Sequence, residues 1–183
     1  MKKRRIIPAV LVISLGAAVL LSTFVTGLSS KWDSQISKEV LSVNGQFTLT
    51  DKNLVDALHD LSLNTPISKV KWSENVLTLD LKVTGSSIIP SDIYIDIASI
   101  ASFSMERTNN VNQLMLRVLA EDEWAGARHL LLSADVKRTE WSSEALMKLR
   151  EWKNAALPDE LIQRFHMTET NLWREQFISP ENG

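Results

Sequence analysis

The sequence predicts an α+β protein: an antiparallel sheet with a βαββαβ-like plan covered by helices, plus C-terminal helices, behind an N-terminal transmembrane helix. Three observations lead there. An uncharged apolar run fills positions 6–28, stretches with a period of two alternate with stretches of helical period, and the composition is 44% hydrophobic and 23% charged. A chain of 183 residues predicts one folded domain after the leader.

The apolar run Ile6–Leu28 is long enough to cross a membrane. Its 23 residues would form a helix of about 34 Å, against about 30 Å for a hydrocarbon core. The best cleavage candidates, Val25–Gly27 and Leu28–Ser30, fit a signal-peptidase site poorly. We therefore expect a retained signal-anchor; the alternative is a cleaved leader and a secreted body.

The charges that flank this run set its orientation. Positions 2–5 carry four positive charges, whereas the far side carries only Lys31, offset by Asp33. The sequence therefore predicts a single-pass protein of the cell membrane with its N-terminus in the cytoplasm and its body outside. The expected layout is a basic tail (1–5), the signal-anchor (6–28), a tether (29–45), an extracytoplasmic α+β domain (46–178) and a short tail (179–183).

Charge and composition exclude several classes of function. The whole chain carries a net charge of −2, and the +4 of positions 2–5 leaves −6 for the remainder. An acidic body is a poor ligand for nucleic acid, because neutralising phosphates requires clustered Lys and Arg. The chain has no cysteine, which excludes disulfides, thiolate nucleophiles and Cys-ligated metals.

The first half of the domain predicts a strand, a helix and a hairpin. The letters QFTLT at 46–50 are typical of a short strand, and Thr50 or Asp51 can cap a helix that ends before the Asn-Thr-Pro at 64–66. Apolar residues then alternate with polar ones on both sides of the turn at 73–75. A period of two on both sides of a short polar turn predicts a β-hairpin with one buried face.

The second half predicts a helix, two strands and further helices. Pro90 begins a segment with Ile93, Ile97 and Ile100 at helical spacing, which Thr108–Asn110 stops. The segments 111–119 and 128–138 follow as strands. Their inward residues are predicted to be Leu114, Leu116, Val118, Leu130, Leu132, Ala134 and Val136. Helices begin near Ser142, after the Leu-Pro-Asp at 157–159 and near Thr168.

One part of this pattern resembles a known family. The pieces are Leu77–Leu81, which reads LTLDL, and Asn110–Leu114, which reads NVNQL. Over roughly residues 47–119 the chain resembles a GerM-type sporulation and germination domain, or a related domain built on the ring-building motif. The family's glycine-proline segment before the hairpin is missing here. The resemblance implies a domain outside a Gram-positive membrane that serves envelope or spore assembly rather than catalysis.

Candidate chemistry is confined to one loop. The three histidines show none of the spacings of a zinc site, and no nucleophile elbow or phosphate loop occurs. Glu121, Asp122 and Glu123 are consecutive acids followed by Trp124. We predict that these four residues contact a partner. A solvated turn and a weak Ca²⁺ site are the alternatives for the acids.

The sequence therefore predicts a non-enzymatic, membrane-anchored envelope protein with a docking or assembly role. We expect a protein partner or self-association, attachment to the membrane through Ile6–Leu28, no nucleic-acid partner and no cofactor or metal. The alternative is a secreted or anchored hydrolase or glycan-binding module that uses Trp124 and the acidic loop.

Overall fold

The fold is known from a computed structural model, which describes residues 45–84, 88–122 and 126–178. The predicted anchor and most of the predicted tether lie outside these residues. Within the described part of the chain, no helix is long and apolar enough to cross a membrane. The predicted α+β class is confirmed: a five-stranded sheet packs against helices.

The elements follow one another in the order αββαββααβα. In chain order they are α1 (Leu54–His59), β1 (Ile67–Ser73), β2 (Val76–Val83), α2 (Pro90–Ser102), β3 (Gln113–Glu121), β4 (Arg128–Lys137), α3 (Ser143–Glu151), α4 (Asp159–Arg164), β5 (Thr168–Glu169) and α5 (Asn171–Trp173). A π-helical turn extends α2 over Phe103–Arg107, and another follows α5 over Arg174–Ile178. A 3-10 turn follows β4 over Arg138–Glu140.

The sheet is mixed, so the prediction of an antiparallel sheet is wrong at one junction. The strands lie in the order β1-β2-β3-β4-β5, and β2 and β3 run parallel. The helix α2 connects these two strands. It carries the chain back to the end of the sheet at which β2 begins, as a parallel pair requires. Alternation has the same period in parallel and antiparallel strands, so it could not distinguish them.

The predicted first strand, QFTLT, does not join the sheet, so the βαββαβ-like plan is wrong in its first element. Phe47 makes an isolated bridge to Thr108, and the Leu49 N–H donates to the Asn110 side chain at 2.8 Å. The Asn110 amide in turn donates to the Leu49 carbonyl at 2.8 Å. This segment is therefore extended and lies along the chain that leaves α2.

The β1–β2 hairpin has the predicted place and turn. Ser73 pairs with Val76, which leaves Glu74 and Asn75 as a two-residue turn, with φ of 52° and 65°. Positive φ at both positions is the geometry that matches the twist of a hairpin, and asparagine tolerates it better than most residues. The Asn75 carbonyl accepts the N–H groups of Asn112 (2.8 Å) and Gln113 (3.3 Å), so the turn contacts the beginning of β3.

One face of the sheet forms the core together with the helices. Leu77, Leu79 and Leu81 of β2 are fully buried, as are Ile93 and Ile97 of α2. The same face of β3 and β4 is buried at Leu114, Leu116, Val118, Leu132, Ala134 and Val136, as predicted. Burying a Leu or Ile side chain contributes about 1.5–3 kcal/mol, so burial of this face stabilises the fold strongly.

A bulge in β4 makes one predicted inward residue wrong. The register shifts between Val118 and Leu119, which pair with Leu132 and Leu130, so Leu131 is the extra residue. Leu131 is consequently buried, whereas Leu130, predicted to point inward, is 38% exposed. A bulge reverses the alternation beyond it, and nothing in a run of three leucines indicates which one is extra.

The end of α2 is held by one guanidinium group. Arg138, just after β4, donates to the carbonyls of Ser104, Met105, Thr108 and Val111. A cation is favoured at the C-terminal end of a helix, where carbonyls lack partners within the helix. Burial lowers the pKa of Arg138 from its ordinary value, because the charged form is partly removed from water.

Replacing Arg138 with Met should lower the free energy of unfolding by about 3 kcal/mol or more, since several buried carbonyls lose a charged donor. Arg138→Lys should recover only part of this, because an ammonium cannot span the same acceptors. Urea unfolding of the full chain in a mild detergent, followed by tryptophan fluorescence, measures the change. Arg164→Met, at an exposed helix position, is the matched control. Equal effects of the two Met variants would contradict the assigned role.

Candidate docking surface

The second face of the sheet, opposite the core, is open to solvent. Strand register places alternate residues of β1 to β4 on this face, which we call the open face. Six of its side chains are cationic and three are acidic, so it carries a net charge of +3 on a body that is acidic as a whole. The charged members are Lys69, Lys71, Asp80, Lys82, Arg117, Glu121, Arg128, Asp135 and Lys137.

The centre of the open face is an ion pair with two hydrogen bonds. Arg117 Nε and Nη2 donate to the two carboxylate oxygens of Asp80 at 2.8 and 2.7 Å. Asp80 and Arg117 are directly paired across β2 and β3, and the Asp80 side chain is only 2% exposed, against 48% for Arg117. The hydrogen bond to Asp80 raises the pKa of Arg117. The acid is therefore covered while its cation faces solvent.

A second cluster lies where β3 ends. Glu121 accepts from Arg128 Nε at 2.7 Å and from Lys82 Nζ at 3.3 Å. Desolvation alone would raise the pKa of Glu121, but the hydrogen bonds from Arg128 and Lys82 outweigh it, and its pKa lies below the usual value. Glu121 is consequently held as a carboxylate between two cations.

The two lysines of β1 differ from the other cations of this face. Lys69 and Lys71 are exposed, and no carboxylate of the described residues lies within ion-pair distance of either. Lys137, by contrast, lies 3.7 Å from Glu140. Asp80 and Glu121 are thus matched by neighbouring cations, and Asp135 accepts from the Gln113 side-chain amide at 2.7 Å, whereas Lys69 and Lys71 make no ion pair with a described residue.

The predicted contact residues are divided by the structure. Glu121 and Asp122 are described, and the Asp122 carbonyl accepts the Gly126 N–H at 2.9 Å, which closes the loop backbone. Glu123 and Trp124 lie outside the described residues, so the predicted partner contact of all four stays a prediction. Among described residues, no group of three acidic or histidine side chains could hold a metal ion.

The strand β1 forms one edge of the sheet. In a two-residue hairpin the pair that closes the turn is hydrogen-bonded, and such pairs alternate along the ladder. Because Ser73 and Val76 close this turn, the N–H and C=O groups of Val70 and Trp72 point away from β2. In the described part of the chain no other strand pairs with this edge.

An apolar groove of about 440 Å³ lies beside this edge, between β1 and α1. Val55 and Val70 are 73% and 37% exposed. Thr65 is fully buried, and its hydroxyl finds no hydrogen-bond partner in the structure, although its N–H donates to Asp96 at 2.7 Å. The groove is lined by Leu54, Val55, Leu58, His59, Leu61, Leu63, Thr65, Pro66, Ile67 and Val70.

Sequence reasoning did not single out Lys69, Lys71, Arg117 or the groove. The signal for the lysines was present, since a strand that alternates lysine with apolar residues is typical of a sheet edge. Arg117 shares its alternation parity with Met115, on the outward side of a strand with buried leucines. The pairing of Arg117 with Asp80 depends on the parallel register, which the alternation pattern does not give.

A buried acid lies elsewhere, at the opposite edge of the sheet. The Glu169 side chain is 7% exposed, its Oε1 atom has no hydrogen-bond partner in the structure, and its nearest cation is Arg174 at 3.7 Å. Burial raises the pKa of Glu169 above its ordinary value of 4.5, and Arg174 offsets this only in part. Burial, with the charge of Glu169, also raises the pKa of Tyr94. We assign this cluster a structural role.

Comparison with known proteins adds no identification, because no family model, no curated protein and no solved structure matches this chain.

Replacing Arg117 with Met should lower the free energy of unfolding by about 2–3 kcal/mol, because the covered Asp80 carboxylate loses both charged donors. The stability of Arg117→Lys should lie between the stabilities of Arg117→Met and the native protein, since lysine supplies the charge without the two-fold hydrogen-bond geometry. Lys71→Met, on the same face but without an acidic partner, is the control and should change stability by less than about 0.5 kcal/mol. Urea unfolding at neutral pH measures the three free energies of unfolding. A change for Arg117→Met as small as the change for Lys71→Met would refute the prediction.

Replacing Glu169 with Gln should stabilise the protein more at about pH 7.5 than at about pH 4. A raised folded-state pKa means that the folded protein holds the proton more tightly. The stabilisation that this proton gives the folded protein is complete below pH 4.5 and is lost as the pH rises through the raised pKa of Glu169. Urea unfolding across this range measures the difference between variant and native protein. Glu175→Gln, at an exposed neighbouring position, is the matched control. A stability difference between Glu169→Gln and the native protein that does not change with pH would contradict the prediction.

Proposed function

We propose that this chain is a non-enzymatic protein of the cell envelope, anchored by Ile6–Leu28 with its body outside the cytoplasm, which docks a protein partner. The observation that carries the proposal is the charge of the open face. This face has a net charge of +3 although the body as a whole is acidic, and it lies beside an exposed strand edge and an apolar groove. Opposite charge steers encounter and sets orientation, and a sheet edge offers backbone groups for attachment.

The resemblance to GerM-type and ring-building-motif domains supports the same direction. Such domains serve envelope or spore assembly, and an exposed sheet surface suits assembly better than it suits chemistry. We therefore propose envelope assembly, including sporulation, as the process in which the partner acts.

One acid of the loop, Glu121, is poorly suited to the hydrolase alternative. A general acid of a glycosidase needs a raised pKa, so that it holds a proton near neutral pH. Glu121 has the opposite shift, because Arg128 and Lys82 stabilise its carboxylate. That arrangement suits an acid that positions two cations on the open face.

Photocrosslinking in living cells tests the proposal. A photoreactive residue placed at Lys71 or Met115, on the open face, should crosslink the chain to a distinct envelope protein. The same residue at Gln163, an exposed helix position, is the control and should give none of that product. Absence of a product from both open-face positions would refute docking through this surface.

The anchor has its own readout in the same cells. Alkaline extraction should leave the chain in the membrane fraction, and N-terminal sequencing should begin at Met1. A mature protein that starts near Leu28 or Lys31 would show cleavage and replace anchoring with secretion.

A further inference from the structure

Two periodic features coincide along the exposed edge of β1. The lysines at 69 and 71 point to the open face, and Val70, between them, points to the other face, where it lines the apolar groove. A strand added to this edge would lie about 4.8 Å from β1, with its side chains alternating between the same two faces. The edge therefore imposes a two-residue pattern on whatever extends the sheet.

Charge determines what the partner carries on the open face. Side chains directly opposite each other on neighbouring strands interact, and opposite charges there are favourable. Lys69 lies opposite Asp80, but both carboxylate oxygens of Asp80 accept from Arg117, and neither Lys69 nor Lys71 has a carboxylate of the described residues within ion-pair distance. The two lysines stand two positions apart on one face. Carboxylates at alternate positions of an added strand would meet both of them.

The groove determines what the partner carries on the other face. Its wall is formed largely by aliphatic side chains, of which Val55 and Val70 are markedly exposed. An apolar side chain of an added strand would enter it and remove these surfaces from water. The Thr65 hydroxyl on the same wall, buried and without a partner, gives the groove one unsatisfied polar atom as well.

A second copy of this chain fits the edge poorly. In an antiparallel pairing centred on Lys69, Val70 or Lys71, at least one lysine would face a lysine across the junction. Like charges directly opposite are destabilising, and edge lysines are a known means of preventing self-pairing. A polyanion without a polypeptide backbone would satisfy the lysines but neither the free N–H and C=O groups of Val70 nor the groove.

We infer that the β1 edge binds an extended segment of a partner protein in which acidic and apolar side chains alternate. The segment adds a sixth strand to the sheet, with its acids over Lys69 and Lys71 and an apolar side chain in the groove. This inference rests on the proposed docking function and names the chemistry of the partner.

Peptide binding to the full chain in detergent micelles tests the inference. The probe is a fluorescent, end-capped peptide with the repeat Glu-Val-Glu-Val-Glu-Val, and fluorescence anisotropy measures its affinity. A peptide with the acids and valines in two blocks keeps the composition but not the alternation, and a Lys-Val repeat keeps the alternation but reverses the charge. Only the Glu-Val repeat should bind, and hydrogen exchange should slow at the Val70 and Trp72 amides.

Variants separate the backbone contribution from the charge. Val70→Pro removes an outward N–H without removing a ladder bond to β2, so it should weaken binding about tenfold while the protein stays folded. The double change K69E and K71E should weaken binding at least as much. Lys153→Glu, a charge reversal at an exposed position in the loop after α3, is the matched control and should leave the affinity unchanged. Thermal unfolding of each variant confirms that it is folded.

Four outcomes would overturn the inference. They are equal binding of the block peptide, unchanged affinity in Val70→Pro, heparin binding that needs the lysines but not Val70, and dimers of the chain joined through β1. If the peptide fails while crosslinks from Lys71 or Met115 persist in cells, the named partner chemistry is wrong and docking stands. If both fail, the docking proposal fails as well.

Discussion

The fold depends on how the chain leaves α2, and the Arg138 guanidinium controls that exit. The helix ends in a π-helical turn, and the carbonyls of Ser104, Met105, Thr108 and Val111 converge there on one cation. The same residue directly follows β4, and its backbone N–H donates to Asn112 at 2.8 Å, next to the beginning of β3. One residue thereby links the end of a helix, the start of one strand and the end of another. Buried carbonyls without donors are costly, so this junction strongly disfavours other paths of the chain.

The two faces of the sheet differ in what their side chains contribute. Leucines of β2 and β3 fill one face with side chains that need only volume and apolar surface. On the other face the same strands carry Asp80 beneath Arg117, and Glu121 between Lys82 and Arg128. Two of the three net positive charges of the open face lie on β1, the strand with free backbone groups.

The sequence predicted the elements better than their arrangement. Periods of two and 3.6 identified β1 to β4, α2, α3 and α4, and a helical pattern identified α1 over a longer range than it occupies. The helix predicted to begin near Thr168 begins later, at Asn171 with Thr170 as its cap, because Thr168 pairs with β4 in the short strand β5. The sequence did not predict the parallel pairing of β2 with β3, because strand direction depends on the crossover through α2 and not on the alternation of apolar residues. Phe47 lies in a β-rich run, yet its backbone pairs with the exit of α2, since tertiary contacts override local propensity. The bulge at Leu131 was not predicted either, because three consecutive leucines are compatible with either register.

The candidate surface was less predictable than the fold, because it is a property of register. Glu121 was identified from a run of acids, but its two cations come from β2 and β4. The importance of Lys69 and Lys71 becomes clear only when β1 is known to be an edge strand.

The hairpin turn between β1 and β2 shows how few residues can set the register of two strands. By accepting the N–H groups of Asn112 and Gln113, the Asn75 carbonyl sets the frame in which β3 meets β2. A slip of one residue would turn the buried leucines of β3 to solvent and carry Arg117 away from Asp80. Two hydrogen bonds at the tip of a hairpin add little to the total free energy of unfolding, but they select one frame over its neighbours.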